Sequence, residues 1–203
     1  MSIPKWTPHL EVKGNCELSG FLKVSGAKNS ALVLMAASIL TEEKIRLKNI
    51  PFLTDIDVMI NILKTIGVQT IRSESDLIIN PLGLHPASLP FDLVHSLRAS
   101  FFSIGPLIAR LGEAKVPLPG GCQIGIRPID EHIKGLRKLG AMVKIKDNVV
   151  TASLPKNQEH LKAANIVLTC PSVGATETLL MATVLAKGTS KIQNAAQEPE
   201  IQD

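Results

Sequence analysis

The most informative stretch of this sequence is Asp130-Glu131-His132-Ile133-Lys134-Gly135-Leu136-Arg137-Lys138-Leu139-Gly140, an amphipathic pattern that ends at a glycine. It predicts a helix, and the run 141–145 that follows the glycine predicts a strand. The same arrangement occurs 73 residues earlier, where Asp57 begins a predicted helix that ends at Gly67. A further 73 residues lead to Asp203, in another predicted helix start. The sequence is therefore built from repeats.

Each of these aspartates follows the same series of elements: an apolar helix, a short strand and a loop. The apolar helices are predicted over 30–40, 98–110 and 173–186, and a helix that is apolar all round is surrounded by other structure. Runs 142–146 and 149–153 predict a hairpin across an Asp-Asn turn. We therefore predict an α/β fold of three repeats, with sheets wrapped around inner helices. The third repeat is predicted to be truncated by the end of the sequence.

The composition narrows the class of protein. The 203 residues are 45% hydrophobic and 20% charged, which excludes a disordered tail and a collagen-like fibre. Aromatic residues make up 3% and the net charge is +4, so nucleic-acid binding is disfavoured and a small anionic substrate is favoured. The longest apolar run, 31–40, is about half of the roughly 20 residues that a membrane span needs.

Three widely spaced cysteines fit a reducing compartment, so a cytoplasmic protein is expected. The cysteines and the five histidines lack the spacing of a metal site. We therefore expect neither a metal nor a cofactor.

The motif 25–30, Ser-Gly-Ala-Lys-Asn-Ser, is predicted to open the first inner helix. Ser25 or Asn29 could cap that helix, and the free N–H groups of a helix N-terminus attract anions. Lys28 would add a full positive charge to such a site. Two interpretations stay open at this point: an anion-binding site, or an ordinary capped helix with a solvated lysine.

The second motif is the loop 119–130, the longest of the three equivalent loops, which holds three glycines together with Cys122 and Arg127. Glycine allows a mobile loop that approaches a ligand closely. A guanidinium near the thiol would lower the pKa of Cys122 and could bind a carboxylate or phosphate. The alternative is that Cys122 packs as a small buried apolar side chain.

A third motif, 170–176, is predicted to open the third inner helix at Ser172, while Arg98 opens the second. Ser172 could help to bind phosphate or could simply cap a tightly packed helix. An arginine at a helix N-terminus opposes the helix dipole, which mildly favours a ligand contact for Arg98. In the predicted threefold arrangement Lys28, Arg98 and Ser172 lie at one end of the domain. Basic groups there suit a substrate with several negative charges.

Together these motifs resemble the UDP-N-acetylglucosamine 1-carboxyvinyltransferase family, the enolpyruvyl transferases of the first committed step of peptidoglycan synthesis. The resemblance rests on 25–29, 97–100, 119–122 with Arg127-Pro128, 172–176 and 194–201. It implies an inside-out α/β barrel of three βα repeats. It also implies that residues 1–24 are N-terminal strands of a second domain that otherwise lies outside this sequence. Residues 25–203 would then form most of the three-repeat domain, incomplete at its C-terminus, that carries the loop 119–130 with Cys122, here called the Cys loop.

The resemblance implies transfer of the enolpyruvyl group of phosphoenolpyruvate to the 3′-hydroxyl of UDP-N-acetylglucosamine, with release of phosphate. Cys122 is then the general acid for the methylene carbon, the thiol that binds the pyruvyl carbon covalently, and the target of fosfomycin. Lys28, Asn29 and Arg127 are expected to bind phosphoenolpyruvate. The residues expected to bind UDP-N-acetylglucosamine are Asn29, Arg98, Arg127, Pro128, Ile129, Asp130, Glu131, Ser172, Val173 and Gly174.

One residue departs from the pattern of this family. Many members have a lysine where this sequence has Cys170, and a thiol does not replace that charge toward a diphosphate. The resemblance also implies that the base for the sugar hydroxyl comes from the other half of the family's sequence. Two alternatives remain: the shikimate-pathway enolpyruvyl transferase, which lacks the Cys loop, and a non-catalytic nucleotide-sugar-binding fragment or paralogue.

Overall fold

The computed structural model describes residues 10–119 and 129–203, and their elements form copies of one unit. The first copy consists of α1 (Lys28–Ala37) with a 3₁₀ turn (Ser38–Leu40), β1 (Ile45–Leu47), α2 (Thr54–Thr65), β2 (Gln69–Ser73) and β3 (Asp76–Asn80). A short 3₁₀ turn (Pro81–Gly83) and α3 (Phe91–Ser96) connect it to the second copy.

The second copy has a 3₁₀ helix (Arg98–Ser103), α4 (Ile104–Leu111), β4 (Glu113–Pro117), α5 (Asp130–Lys138), β5 (Met142–Lys146) and β6 (Val149–Ser153). The third copy contains β7 (Asn165–Val167), α6 (Val173–Thr183), β8 (Lys191–Gln193) and α7 (Pro199–Gln202). The element order thus confirms the three repeats predicted from the sequence.

The strands form two matching antiparallel sheets and one parallel pair. In the first sheet β3 lies between β1 and β2, and in the second β6 lies between β4 and β5. The predicted hairpin is confirmed: Lys146 pairs with Val149, and the turn residues Asp147 and Asn148 have φ angles of 51° and 59°. Positive φ at both turn positions is typical of the type I′ turn, whose twist suits a two-residue hairpin.

A short strand before the inner helix was not predicted from the sequence. β7 precedes α6 and pairs in parallel with β8, with Ile166 opposite Ile192. In the second copy Ser88 forms an equivalent parallel bridge with Lys115 of β4. A parallel pair with a helix between its strands is a βαβ crossover. These strands are too short to show the alternation of apolar and polar residues that would identify them.

The helices α1, α4 and α6 form the interior, as predicted. Six successive residues of α4, 104–109, are buried, and so are residues 175–179 of α6. Each antiparallel sheet buries one face in the same core, through alternate residues such as Leu77 and Ile79 of β3 and Val150 and Ala152 of β6. Helices inside and sheets outside confirm the inside-out arrangement.

The amphipathic helices pack against this interior by one face. On α5 the apolar residues Ile133 and Leu136 are buried, together with Leu139 directly after the helix, in agreement with the predicted amphipathic pattern. The prediction that the first such helix begins at Asp57 was wrong, because α2 already begins at Thr54. Ile56 is buried in its first turn, so packing extends the helix backwards, and Asp57 lies within the first turn, where the helix dipole favours a carboxylate.

Residues 10–27 contain no helix or strand, so the strands expected over 1–24 are not seen in the described residues 10–24. The large apolar side chains there are exposed, namely Leu10, Val12, Leu18, Phe21, Leu22 and Val24. The division of the chain at residues 24 and 25 stays a prediction. None of the helices in the described ranges is both long enough and apolar enough to cross a membrane.

Candidate functional site

A pocket of about 810 Å³ lies among the N-terminal ends of the inner helices. Its wall combines the start of α1, the 3₁₀ helix before α4, the start of α5, the loop before α6 and the region of α7. The polar and charged residues of the wall are Lys28, Asn29, Asp55, Ser96, Arg98, Glu131, His132, Cys170, Ser172, Glu177, Glu198 and Glu200. The predicted meeting of Lys28, Arg98 and Ser172 at one end of the domain is confirmed.

The residues predicted from separate sequence motifs meet in this one pocket. Those in its wall are Lys28, Asn29, Arg98, Ile129, Glu131, Ser172, Val173 and Gly174. Asp130 begins α5 between two wall residues and is not itself in the wall. Cys122, Arg127 and Pro128 lie outside the described residues, so their positions stay predictions.

Lys28 is the first residue of α1, and its ammonium donates a hydrogen bond to Asp55 of α2, with 2.7 Å between Nζ and Oδ2. The prediction that Ser25 or Asn29 caps α1 was wrong. The N-cap is Ala27 in an extended conformation, which places Asn29 inside the first turn, and no side chain of the described residues caps the helix. The first-turn N–H groups therefore remain available to a ligand, and Asp55 competes with any anion for Lys28.

At the start of α6 the structure shows the cap by Ser172 that was one of the two interpretations of this motif. The Ser172 hydroxyl oxygen accepts a hydrogen bond from the Ala175 amide at 3.3 Å. Val173 and Gly174 are the first two helical residues, whose N–H groups have no acceptor within the helix. A Cβ at Gly174 would lie 3.2 Å from both the His132 ring and the Phe102 ring, so glycine lets the backbone approach the pocket wall closely. This helix start presents backbone amides to a ligand.

Glu131 ties α5 to the loop that leads into α6. One carboxylate oxygen accepts the Thr169 amide at 2.8 Å, and the other accepts the Lys134 ammonium at 3.0 Å. The Thr169 hydrogen bond, followed by that from Lys134, lowers the pKa of Glu131. Glu131 is therefore an ionised group that positions the loop around the exposed Cys170.

His132 is a wall residue that the sequence analysis missed. It is 5% exposed and meets Phe101 edge-on, with ring centroids 5.3 Å apart. Burial and then the Arg98 guanidinium lower the pKa of His132 to about 4, so the imidazole is neutral at pH 7. Among the described residues its Nδ1 atom lacks a hydrogen-bond partner of normal geometry. Its position on the buried side of the Asp130 helix was the available signal.

Glu177 is the second wall residue that was missed. It is 2% exposed, and within the described part of the chain its Oε2 atom has no hydrogen-bond partner. Burial, with the nearby carboxylates of Glu200 and Glu198, raises the pKa of Glu177 to about 8. Its side chain is therefore a neutral carboxylic acid at pH 7. The signal in the sequence was a single carboxyl side chain in the middle of a helix, α6, that has no other charged residue.

The charge of the described wall differs from the expected basic surface. Its cationic side chains are Lys28 and Arg98, whereas its carboxylates are Asp55, Glu131, Glu198 and Glu200, with Glu177 neutral at pH 7. A ligand with several negative charges would therefore depend on the backbone amides of the helix starts and on cations beyond this wall.

Comparison with known proteins identifies the family. The family model described as EPSP synthase (3-phosphoshikimate 1-carboxyvinyltransferase) matches residues 12–203. Curated relatives named UDP-N-acetylglucosamine 1-carboxyvinyltransferase are 62% identical in Prochlorococcus marinus (strain MIT 9313) and 60% identical in Synechococcus sp. (strain CC9605). The matches cover 97% and 96% of this chain, but only 45% of each relative. The chain thus spans less than half the length of these relatives.

Two solved structures have the same fold. The enolpyruvyl transferase NikO from Streptomyces tendae superposes with a TM-score of 0.78 at 21% identity, over 94% of this chain and 44% of that one. The EPSP synthase from Acinetobacter baumannii gives 0.72 at 18% identity, over 90% and 42%. These likenesses confirm the α/β enolpyruvyl transferase fold. Since the family model covers nearly the whole sequence, the chain belongs to the EPSP synthase (3-phosphoshikimate 1-carboxyvinyltransferase) family.

Proposed function

We propose that this chain forms part of an enzyme that transfers the enolpyruvyl group of phosphoenolpyruvate to the 3′-hydroxyl of UDP-N-acetylglucosamine. The observation that carries the proposal is that residues expected to bind both substrates, from separate sequence motifs, line one pocket. The names of the 62% and 60% identical relatives support the same activity. The reaction belongs to peptidoglycan synthesis and takes place in the cytoplasm, where the free thiols of Cys16 and Cys170 stay reduced.

In the proposed reaction Lys28, Asn29 and Arg127 bind phosphoenolpyruvate. The phosphate or carboxylate takes the place of Asp55 as the partner of the Lys28 ammonium. The thiol of Cys122 donates its proton to the methylene carbon while the sugar 3′-oxygen bonds to the adjacent carbon and gives up its own proton to the base expected from the other half of the family's sequence. The C–O bond to phosphate then breaks and phosphate leaves, as the Cys122 thiolate takes a proton back from the new methyl group, which restores the double bond in the product. Cys122 also forms the covalent adduct with the pyruvyl carbon.

The nucleotide sugar occupies the other side of the pocket. The amides of Val173 and Gly174 at the start of α6 are suited to the diphosphate, because a helix N-terminus carries partial positive charge. Ser172 stabilises that helix start through its cap. Asn29 and Arg98 face the sugar, and residues Arg127 to Glu131 contact the uridine diphosphate.

The shikimate-pathway enzyme is the main alternative within the family. The loop 119–122, with its cysteine, favours the nucleotide-sugar enzyme, as do the names of the relatives at 58–62% identity. A non-catalytic nucleotide-sugar-binding protein is the alternative of another class.

A chimera tests the proposal. Residues 1–203 replace the matching part of the Prochlorococcus marinus (strain MIT 9313) relative, and phosphate release from phosphoenolpyruvate is measured with UDP-N-acetylglucosamine or with shikimate 3-phosphate. The unaltered relative is the control. We expect release that depends on UDP-N-acetylglucosamine. Release with shikimate 3-phosphate would favour the sister enzyme, and nucleotide-sugar binding without release would favour the non-catalytic alternative.

A further inference from the structure

Lys134 holds an ammonium next to the loop that leads into α6. It lies one turn after Glu131 on α5, and its Nζ atom is 3.0 Å from a Glu131 oxygen. The second Glu131 oxygen accepts the Thr169 amide at 2.8 Å. A single carboxylate therefore ties the lysine to the backbone beside Cys170 and Ser172, which both line the pocket.

The two partners of this ion pair differ in their freedom. The side chain of Glu131 is 13% exposed and is held by two hydrogen bonds, whereas the side chain of Lys134 is 63% exposed. The pair with Glu131 also raises the pKa of Lys134, and the Cys170 thiol contributes in the same direction. Lys134 is therefore a charged, solvent-exposed ammonium beside a carboxylate that is held in place, close to position 170.

The part of the pocket wall next to Lys134 is short of positive charge. Among the described wall residues, those from α5 and α6 include no lysine or arginine. His132, which follows Glu131, is 5% exposed and neutral, so it adds no positive charge there. The amides of Val173 and Gly174 supply only partial positive charge.

We infer that Lys134, positioned by Glu131, is a specificity-determining residue that contacts the diphosphate of the bound nucleotide sugar. The inference rests on the proposed function, to which it adds a residue and a positioning group. On binding, the ammonium turns from Glu131 toward the phosphate oxygens, while Glu131 keeps the Thr169 amide and holds the loop in place.

The test is an NMR titration of the ¹⁵N-labelled 203-residue chain with UDP and, separately, with uridine, followed at the Thr169 and Cys170 amides. Lys134→Ala should weaken UDP binding about fivefold, the upper range for one exposed ion pair. It should leave uridine binding unchanged, because uridine carries no charge. Lys138→Ala, one turn further along α5 and also exposed, is the matched control and should change neither affinity.

A second substitution distinguishes the loss of the ammonium charge from a structural effect of Lys134→Ala. Adding Cys170→Lys to Lys134→Ala should restore the UDP affinity, since Cys170 is exposed in the same wall. Equal weakening of UDP and uridine by Lys134→Ala, or a double variant no tighter than the single one, would overturn the inference. UDP binding by the unsubstituted chain that Lys134→Ala leaves intact contradicts this inference alone. An unsubstituted chain that binds no UDP contradicts the proposed function as well.

Discussion

His132 and Glu177 show how burial sets the protonation of the pocket wall. Each is nearly inaccessible to water, and desolvation disfavours the charged form of both. The pKa of His132 therefore falls to about 4 and that of Glu177 rises to about 8, so both side chains are neutral at pH 7. The charge that a ligand meets comes from shallower groups, in particular the Lys28–Asp55 pair.

Glu177 should make stability fall with rising pH. The unfolded chain loses this proton near the ordinary carboxyl value of 4.5, whereas the folded chain keeps it up to about 8, so stability declines between these values. His132 acts in the opposite direction, but only between about 4 and 6.5. Between pH 6.5 and 8 we expect the chain to lose about 2 kcal/mol of unfolding free energy.

Urea unfolding at several pH values measures this effect. Glu177→Gln should abolish the decline between pH 6.5 and 8, because glutamine keeps the shape without titrating. Glu159→Gln, at an exposed carboxyl, should leave the decline unchanged. The same slope in Glu177→Gln as in the unsubstituted chain would contradict the burial argument.

Lys28 should control the affinity for phosphoenolpyruvate. In the chimera, Lys28→Ala is expected to weaken phosphoenolpyruvate binding or turnover by about 1.5–3 kcal/mol, the range for hydrogen bonds to charged groups. Steady-state kinetics with phosphoenolpyruvate as the varied substrate measure the change. Lys64→Ala, a lysine at the C-terminal end of α2, is the control. Unchanged kinetics would indicate that Lys28 pairs with Asp55 but does not bind phosphoenolpyruvate.

Cys122 should tolerate replacement only by another acid. In the chimera Cys122→Ser should nearly abolish turnover, because a hydroxyl is far too weak an acid to protonate carbon near neutral pH. Cys122→Asp should keep measurable activity with an acid-shifted pH optimum, and should resist fosfomycin. Rate measurements from about pH 5 to 9 span the reference thiol pKa and a raised carboxyl pKa. An active serine variant with an inactive aspartate variant would identify a packing cysteine instead.

At the scale of elements, the contact between α4 and α6 determines how closely the inner helices pack. A Cβ at Gly105 would lie 2.2 Å from the carbonyl oxygen of Thr178, which is backbone and cannot turn aside. The 3₁₀ helix that leads into α4 and the start of α6 both line the pocket, so a change in the spacing of α4 and α6 changes the separation between Arg98 and Ser172. The same close contact thus serves both packing and the geometry of the site.

Gly105→Ala should therefore destabilise the fold by about 1–3 kcal/mol, the usual cost of overpacking a tight core. Thermal or urea unfolding of the variant chain measures it. Gly14→Ala is the matched control, since a Cβ at Gly14 would meet nothing within 4 Å. If the Gly105→Ala chain were as stable as the parent, α4 and α6 would be able to separate without a loss of unfolding free energy.

At the scale of the whole molecule, the chain matches only part of its relatives. The chain spans 45% of the length of its 62% identical relative, and the exposed apolar side chains of residues 10–24 include Leu18, Phe21 and Leu22. By the family resemblance, the base for the sugar hydroxyl lies outside this sequence. We therefore expect the 203-residue chain by itself to bind ligand but to lack turnover.

Incubation of the purified chain with phosphoenolpyruvate and UDP-N-acetylglucosamine tests this expectation through phosphate release. The chimera serves as the positive control. Turnover by the chain alone, above that of its Cys122→Ser variant, would refute it.

The sequence by itself determined the repeats, the inner helices and the hairpin of β5 and β6. These follow from local patterns: all-apolar helices, an amphipathic helix that ends at glycine, and an Asp-Asn turn. It also identified the helix starts that bear Lys28, Arg98 and Ser172, because residue types near a helix N-terminus are visible in sequence. The three-residue strand β7 was missed, since so few residues show no periodicity.

Only the tertiary structure decided which groups share the pocket and in what state. The Lys28–Asp55 pair joins residues 27 positions apart, and the Glu131–Thr169 hydrogen bond joins residues 38 positions apart. The neutral states of His132 and Glu177 depend on how much water the packed helices exclude. Partner choice and desolvation are properties of the assembled core, to which distant segments contribute together, and no local stretch of sequence contains them.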